Sequence, residues 1–391
     1  MSKVQVQGRY EPRFEGVRRA FEENFATGGE VGAAVSVVVE GRTVVDLWGG
    51  HADARATRPW ERDTLVNVYS TTKGMTALCA HQLVEEGQLD LDAPVARYWP
   101  EFAAADKGDI PVRWLLSHRA GLPAVRRLLP GDALFDWDAM TSALAAEAPW
   151  WEPGTQHGYH AVTFGWLVGE VVRRITGKSL GRTFHERIAG PLDADFWIGL
   201  PDAEHERVAR LGAPPIAPPA PGGGEPSLME IILQEPEGMT ARAFVNPPSV
   251  MTSANTPEWR RAEIPGANGH GNARAIARIY GAVANGTAPS LAPETIERAR
   301  TERSRGGDAV LRISTRIAEG FMLPQPGIEG ASFGPNERSF GHPGAGGSLG
   351  FADPEAKLGF GYVMNHMGPH ILIDPRAARL VDATYAALGA S

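Results

Sequence analysis

The sequence predicts an α+β fold, in which one antiparallel sheet flanked by helices is built from both ends of the chain and a helical domain is inserted between them. Three observations lead to this prediction. Strand patterns occur near both ends of the 391-residue chain, helix patterns dominate its middle, and neither end alone has enough strands for a stable sheet. We expect residues 1–80 and 240–391 to form the α/β domain and residues 81–239 the mainly helical domain.

The N-terminal part of the chain contains one helix pattern and one hairpin pattern. Residues 15–25 have apolar side chains at helical spacing. Residues 33–39 and 43–48 are rich in β-branched side chains, and Gly41-Arg42 between them is typical of a tight turn. These two segments are therefore predicted to pair as an antiparallel hairpin.

The middle of the chain is predicted to be mainly helical. Helix patterns cover residues 112–117, 136–147 and 160–176. Residues 212–226 contain many Pro and Gly residues, which cannot sustain a helix or a central strand. We expect a surface loop there, either passive or forming a rim over the site.

The C-terminal part supplies the remaining strands of the predicted sheet. Helices are predicted over residues 272–284, 293–300 and 375–388, and strands over residues 316–323, 346–352 and 358–364. Asp374 followed by Pro375 is a typical helix start, which fixes the beginning of the last helix.

Composition and charge exclude several classes of function. The formal net charge is −8 and no basic run is present, which argues against nucleic-acid binding. The first ten residues are polar and no apolar stretch is long enough to cross a bilayer, so we expect a cytoplasmic protein without a membrane partner. The single cysteine, Cys79, excludes an internal disulfide. The histidines lack an acidic cluster, so no metal or other cofactor is predicted.

The first candidate for chemistry is Ser70-Thr71-Thr72-Lys73, an S-x-x-K motif at the start of a predicted helix. A serine hydroxyl needs a partner that takes its proton. Residues i and i+3 share one helix face, so the Lys73 amine would lie beside the Ser70 hydroxyl. The helix N-terminus would favour developing negative charge. The motif predicts a serine nucleophile, although the same residues also suit a simple helix cap.

A second proton-transfer group is expected from the loop that ends at Tyr159. Pro153 and Gly154 place residues 151–159 on a loop ahead of a helix, so Tyr159 would lie at the loop–helix junction. A positive charge on Lys73 would lower the pKa of the phenol, and the phenolate would then serve as a general base. The alternative is a packed tyrosine that donates one hydrogen bond.

A third candidate segment runs from Phe340 to Ser348 and is rich in glycine. Glycines let a backbone approach a ligand closely. A strand edge beside the nucleophile can direct a backbone N–H at the oxyanion of the reaction. Because Pro343 has no N–H, we assign this donor to Ala345. The alternative is a glycine-rich turn without a role.

Together these segments resemble the serine β-lactamase-like superfamily, which includes class C β-lactamases, D-alanyl-D-alanine carboxypeptidases and family VIII carboxylesterases. The resemblance covers nearly the whole chain and rests on the order and separation of its motifs. The matching pieces are the S-x-x-K tetrad at Ser70, Tyr159, the triplet His342-Pro343-Gly344, the run from Leu115 to Leu122 and the segment Trp151-Glu152-Pro153-Gly154.

The resemblance implies a β-lactamase/penicillin-binding-protein-like fold with the site in the cleft between its two domains. It implies that Ser70 is acylated, that Lys73 and Tyr159 share the proton transfer, and that the backbone N–H groups of Ser70 and Ala345 form the oxyanion hole. Which of the two proton-transfer groups is the working base stays open, since they would titrate as a coupled pair. The candidates for the substrate pocket are His342, Gly344, Ser348 and Trp151.

Two departures from the family pattern bear on the substrate. The second motif is Y-x-N in β-lactamases but Tyr159-His160-Ala161 here, and the third is K-T-G there but His342-Pro343-Gly344 here. The missing amide, lysine and hydroxyl would help to hold the charged or polar groups of a β-lactam or peptide. A protonated His342 would replace the lysine only in part. We therefore predict a serine carboxylesterase whose partners are small to medium neutral esters.

Three alternatives remain open. A β-lactamase, or a D-aminoacyl peptidase or acyltransferase, is compatible with the same scaffold. A non-catalytic binding protein that keeps the fold is a more distant alternative. Gly346 to Gly350 also match G-x-S-x-G, the nucleophile elbow of α/β-hydrolases, which would make Ser348 the nucleophile. That motif requires a helix after it, and because a strand is predicted instead, we expect Ser348 to line the site.

Overall fold

The computed structural model describes residues 4–213, 227–325 and 331–389, so most of the loop predicted at 212–226 lies outside the described residues. The strands are β1 (Gln7–Tyr10), β2 (Gly32–Val39), β3 (Arg42–Gly50), β4 (Val66–Asn67), β5 (Phe196–Trp197), β6 (His270–Gly271), β7 (Ser304–Gly307), β8 (Ser314–Ile317), β9 (Phe340–Pro343), β10 (Leu349–Asp353) and β11 (Leu358–Met364). The α-helices are α1 (Glu15–Thr27), α2 (Thr72–Glu85), α3 (Val112–Leu116), α4 (Trp137–Ala146), α5 (Thr163–Thr176), α6 (Leu180–Phe184), α7 (Leu228–Gln234), α8 (Met239–Val245), α9 (Ser249–Thr252), α10 (Pro257–Arg261), α11 (Ala273–Ala284), α12 (Pro293–Ala299) and α13 (Pro375–Leu388). Among the described residues, no helix is long and apolar enough to span a bilayer.

One six-stranded antiparallel sheet joins the two ends of the chain, in the order β1-β3-β2-β11-β10-β9. The neighbours β2 and β11 are its two central strands, and their register places Ala33 opposite Met364 and Val39 opposite Leu358. Both strands are buried along their whole length. The prediction of an antiparallel sheet built from both ends is therefore confirmed, and smaller sheets of three strands (β4-β6-β5) and two strands (β7-β8) lie beside it.

Helices cover this sheet closely because glycines leave room for them. A Cβ atom at Gly359 would come within 2.1 Å of the backbone nitrogen of Gly281 in α11, and one at Gly361 within 2.2 Å of the Ala273 carbonyl oxygen. Helices α1 and α13 pack against each other. The two terminal segments thus share helix contacts as well as strand pairing.

Helix α2 is enclosed by other elements and not laid on a surface. It is buried from Thr72 to Leu83 and packs against α5, α6, α12 and β9. Small or apolar side chains occur on all of its faces, which is the pattern of a helix surrounded by protein. Because α2 is surrounded by protein, the residues at its N-terminus lie in the interior, next to the end of β9.

Two strand predictions are wrong in their bounds. The strand predicted at 316–323 is only β8, which pairs with β7, because Gly320 adopts a φ of +92° and turns the chain. The strand predicted from Gly346 begins at Leu349, because Gly346 and Gly347 have φ values of +87° and +131°. These left-handed conformations form a turn, which brings the glycine-rich segment to the start of α2.

Candidate active site

Ser70 lies in the short turn between β4 and α2. The preceding residue, Tyr69, has a φ of +42°, a conformation that a bulky residue adopts only where the surrounding structure imposes it. Hydrogen bonds of 2.9 Å hold the turn at both ends, from Val68 N–H to the Gly269 carbonyl and from Lys73 N–H to the Ser70 carbonyl. Ser70 is only partly buried, whereas the first residues of α2 are fully buried. Its hydroxyl is therefore presented at the end of a rigid helix.

Lys73 is completely buried and has three polar neighbours. Its Nζ atom lies 2.6 Å from the Ala161 carbonyl oxygen, 2.8 Å from the Gly266 carbonyl oxygen and 3.1 Å from Ser70 Oγ. Burial lowers the pKa of the Lys73 amine well below its usual value. Two backbone carbonyls accept from Nζ and hold it in place, with the Ser70 hydroxyl as its third polar neighbour.

Tyr159 lies at the end of a loop, four residues before α5 begins at Thr163, and its ring is buried beside Lys73. The Lys73 Nζ atom is 4.7 Å from the centre of the ring. Burial raises the pKa of the Tyr159 phenol well above its usual value, and although a hydrogen bond with Ser70 acts in the opposite direction, burial dominates. The expectation of a lowered phenol pKa is therefore wrong. The physical reason is that burial penalises the charged phenolate, and the nearby Asp308 carboxylate raises the pKa of the phenol further.

Asp308 fixes the position of Tyr159, and the sequence analysis did not identify it. Its Oδ1 atom accepts hydrogen bonds from the backbone N–H groups of Tyr159 at 3.0 Å, Val310 at 2.9 Å and Leu311 at 2.8 Å. The N–H of Ala309 in turn donates to the His157 carbonyl oxygen at 3.1 Å. An Asp after two glycines is a common turn signal, but nothing local indicates that it binds a residue 149 positions away.

His342, the first residue of the third motif, faces the Tyr159 hydroxyl. Its Nδ1 lies 2.6 Å from the Pro343 carbonyl, which can only accept, so Nδ1 carries the proton and Nε2 is an acceptor. The Tyr159 hydroxyl is 3.5 Å from that Nε2. Burial, reinforced by the charge of Lys73, lowers the pKa of His342 to about 3. The expectation that a protonated His342 partly replaces the missing lysine is therefore wrong at neutral pH.

The turn between β9 and β10 packs directly on the Ser70 turn. A Cβ atom at Gly344 would lie 2.2 Å from the Val68 carbonyl oxygen, so only glycine fits there. The Ser348 hydroxyl donates to that same carbonyl at 2.8 Å and is 3.1 Å from the Thr71 hydroxyl. Ala345 lies between these anchors and is half-buried. Ser348 is followed by a strand, β10, so the helix that a nucleophile elbow requires is missing after it.

Trp151 and two histidines pack around the Tyr159 loop. The Trp151 ring meets His160 edge-on, with ring centres 6.0 Å apart. His160 donates its backbone N–H to His118 Nδ1 at 3.0 Å and its Nδ1–H to the Gly158 carbonyl at 2.7 Å. Burial lowers the pKa of His160 to about 3 and that of His118 well below its usual value. The two histidines therefore support the loop as neutral side chains. Trp151 packs on His160 and is thereby connected to the site indirectly.

The motifs that the sequence analysis selected thus converge on one place. Ser70, Lys73 and Tyr159 are neighbours, and the turn that contains Ala345 closes the same site. Across residues 4–213, 227–325 and 331–389, no group of three or more Asp, Glu, His or Cys side chains is arranged to hold a metal ion.

Comparison with known proteins identifies the family. The family model described as Beta-lactamase matches residues 17–383. The chain belongs to the beta-lactamase family. The crystal structure of a family VIII carboxylesterase is 44% identical to this family member, with a TM-score of 0.87 over 98% of this chain and 100% of that one. A penicillin-binding protein homologue from Caulobacter crescentus is 43% identical, with a TM-score of 0.87 and the same coverage.

Curated relatives of this beta-lactamase family member have related names. The Esterase/beta-lactamase LipL of Mycobacterium tuberculosis is 36% identical over 373 residues, which are 94% of this chain and 85% of the relative. These similarities confirm the predicted superfamily and its fold class, an antiparallel sheet flanked by helices with an inserted helical domain. They also agree with the predicted enzyme class, a serine hydrolase.

Proposed function

We propose that this protein is a serine carboxylesterase that hydrolyses small to medium neutral esters through an acyl-enzyme on Ser70. The observation that supports this most directly is the setting of Lys73, a buried amine with a lowered pKa whose Nζ atom lies 3.1 Å from Ser70 Oγ. The proposal agrees with the names of the similar proteins, a family VIII carboxylesterase and an Esterase/beta-lactamase.

In the proposed acylation step, Lys73 takes the proton of Ser70 while Oγ bonds to the ester carbonyl carbon. The carbonyl oxygen becomes an oxyanion, which the backbone N–H groups of Ser70 and Ala345 stabilise. The tetrahedral intermediate then collapses, the bond to the alcohol oxygen breaks, and that oxygen leaves with a proton. Water repeats these steps on the acyl-enzyme and releases the carboxylic acid and Ser70.

Tyr159 is proposed to pass this proton and not to act as a phenolate base. Its hydroxyl lies 3.5 Å from the acceptor nitrogen of His342, and Ser70 is close enough to counteract part of the rise in its pKa. With a raised pKa, the phenol keeps its proton at rest; although it is a weaker acid than a free phenol, it can still donate to a leaving alkoxide, which is the stronger base. Lys73 is the group whose pKa is shifted toward the working range, so we assign the base to Lys73 and the relay to Tyr159.

The preference for neutral esters follows from the charge of the site. His342 stands where β-lactamases have the lysine of K-T-G, and it is neutral because burial lowers its pKa to about 3. A substrate carboxylate would thus lose its water without gaining a cation there. We retain His342 and Gly344 as proposed pocket residues. The Ser348 hydroxyl supports the turn between β9 and β10 through its hydrogen bond to Val68. The Trp151 ring supports the Tyr159 loop by packing on His160.

A β-lactamase activity is a second candidate, because the name of the relative LipL includes both activities. We also propose the domain boundaries given above, with residues 81–239 as the mainly helical domain and the site in the cleft. A cytoplasmic location stays a prediction.

The proposed function is tested by intact-protein mass after reaction with a fluorophosphonate, which phosphonylates an activated serine and releases fluoride. Wild type, Ser70→Ala and Ser348→Ala are compared, with turnover of p-nitrophenyl butyrate and of a chromogenic cephalosporin. We expect wild type and Ser348→Ala to be labelled, Ser70→Ala to lose both label and turnover, and the ester to be the better substrate. A labelled Ser70→Ala variant would contradict the proposed nucleophile. Cephalosporin turnover exceeding that of the ester would favour the second candidate.

A further inference from the structure

A buried arginine at the start of α13 uses every donor that it has. Arg376 is 5% exposed. Its Nε and Nη2 atoms donate to the two carboxylate oxygens of Asp374, at 2.8 and 3.0 Å. Nη1 donates to Glu30 Oε1 at 3.1 Å and to the His366 carbonyl at 3.0 Å, and Nη2 donates also to the Gly346 carbonyl at 2.9 Å. A guanidinium has five N–H groups, and all five are used here.

The Gly346 carbonyl belongs to the turn between β9 and β10. It also accepts a hydrogen bond of 2.8 Å from the Gly368 N–H. Gly346 and Gly347 have positive φ values, and a Cβ atom at Gly347 would come within 3.1 Å of Arg376 Nη2. The turn therefore packs closely against the guanidinium, which constrains the conformation of the turn.

The opposite side of the same turn is attached to the nucleophile. The Ser348 hydroxyl donates to the Val68 carbonyl at 2.8 Å, and the Gly344 N–H donates to the Ser348 carbonyl at 2.7 Å. Ala345 lies between the two attachments, one residue before the carbonyl that Arg376 holds. The direction of the Ala345 N–H thus depends on the guanidinium on one side and on the Ser70 turn on the other.

We propose that Arg376 is a positioning residue of the oxyanion hole, which holds the Gly346 carbonyl and thereby directs the Ala345 N–H at the reacting carbonyl oxygen. This inference rests on the proposed esterase function. The Asp374 carboxylate compensates the buried positive charge, and Glu30, whose pKa burial raises to about 7, is a second acidic partner, so the guanidinium remains fixed. A lysine would keep the charge but has only three N–H donors in a different geometry, so it would not reproduce these contacts.

Arg376→Lys tests the proposal. One backbone donor to an oxyanion contributes about 10²–10³ in kcat, so we expect partial misdirection of that donor to lower kcat about 10- to 100-fold. KM for p-nitrophenyl butyrate is expected to stay within about threefold, because the donor acts mainly on the transition state. Affinity for n-butylboronic acid, which forms a tetrahedral adduct on Ser70, is expected to fall in parallel with kcat.

Tyr362→Phe is the matched control. It removes the hydrogen bond from the Tyr362 hydroxyl to Glu30 in the same buried network but leaves the contacts of Gly346 intact. We expect kcat and boronate affinity within about twofold of wild type, even if the melting temperature falls as much as in Arg376→Lys. Asp374→Asn is a second test variant, since asparagine still caps α13 while its amide would repel Nη2. We expect it to lose kcat in the same direction as Arg376→Lys.

The outcomes separate this inference from the proposed function. If wild type hydrolyses the ester and Ser70→Ala does not, the proposed function stands whatever Arg376 does. A folded Arg376→Lys with wild-type kcat and boronate affinity would then overturn only the positioning role. An equal loss of kcat and boronate affinity in Tyr362→Phe would also overturn the positioning role, because the loss in Arg376→Lys would then reflect general stability. If Arg376→Lys does not fold, the same readings on Asp374→Asn decide.

Discussion

Replacing Asp308 by alanine should damage both the stability of the protein and its catalysis. The carboxylate accepts three buried backbone N–H groups, those of Tyr159, Val310 and Leu311. Each orphaned donor costs about 1–3 kcal/mol, and since the three are neighbours their costs do not simply add, so we expect a total of about 4 kcal/mol. For a 391-residue chain this corresponds to about 5 °C in melting temperature. A displacement of Tyr159 by about 1 Å would lower kcat about 100-fold.

Asp53 offers a matched control for this prediction. Its carboxylate also accepts three backbone N–H groups, those of Arg55, Thr57 and Arg58, in a loop after β3. Melting temperature and p-nitrophenyl butyrate turnover are measured for Asp308→Ala, Asp308→Asn and Asp53→Ala. Asparagine keeps an acceptor oxygen, so Asp308→Asn should retain most of both properties. If a folded Asp308→Ala keeps kcat within about threefold of Asp53→Ala, the link from Asp308 to Tyr159 has no catalytic role.

Other groups of the site give three further expectations. Tyr159→Phe should lower kcat about 100-fold by removing the proton relay, with little change in melting temperature; a rate near that of wild type would exclude the relay. His342→Lys should raise turnover of a chromogenic cephalosporin relative to the ester by about tenfold, because the substrate carboxylate gains a cation, whereas His342→Gln should not. Lowering the pH from 7 to 5 should reduce the free energy of unfolding in urea by about 5 kcal/mol. Four buried histidines, His81, His160, His270 and His342, have folded pKa values of about 3 to 4. They take up protons near pH 6.5 only in the unfolded protein, so stability is lost as the pH falls below 6.5. Glu30, with a folded pKa of about 7, offsets part of this loss because it takes up its proton in the folded state first. Unchanged stability at pH 5 would show that these histidines are not held neutral.

The elements with strong local signals could be predicted from the sequence with correct bounds. Residues 358–364 form β11 and residues 375–388 form α13, as predicted. In both cases neighbouring residues fix the ends: a tight turn precedes the strand, while Asp374 caps the helix and Pro375 starts it. A sheet shared by the two ends was also predictable, because neither end has enough strands of its own, but the particular pairing of β2 with β11 was not.

Contacts across long sequence distances could not be predicted. Ser70 and Lys73 are three residues apart, so one turn of helix is enough to bring their side chains together. The two carbonyls that orient the Lys73 amine are 88 and 193 residues away. The direction of the Tyr159 pKa shift could not be predicted either, because it depends on burial, and burial is a property of the assembled fold. Periodicity cannot supply that information.

The basic groups around Ser70 share lowered pKa values, which bears on the charge of the substrates that the proposed mechanism would accept. Lys73, His118, His160 and His342 all have pKa values lowered by burial, and values of about 3 make the His160 and His342 rings neutral at pH 7. A neutral amine is a competent base for Ser70, so chemistry does not require a charged lysine. An anionic substrate, however, would lose its hydration without finding a cation in return. In the proposed mechanism the proton transfer does not depend on the charge of the substrate, and we expect the residue at position 342 to influence selectivity for charge.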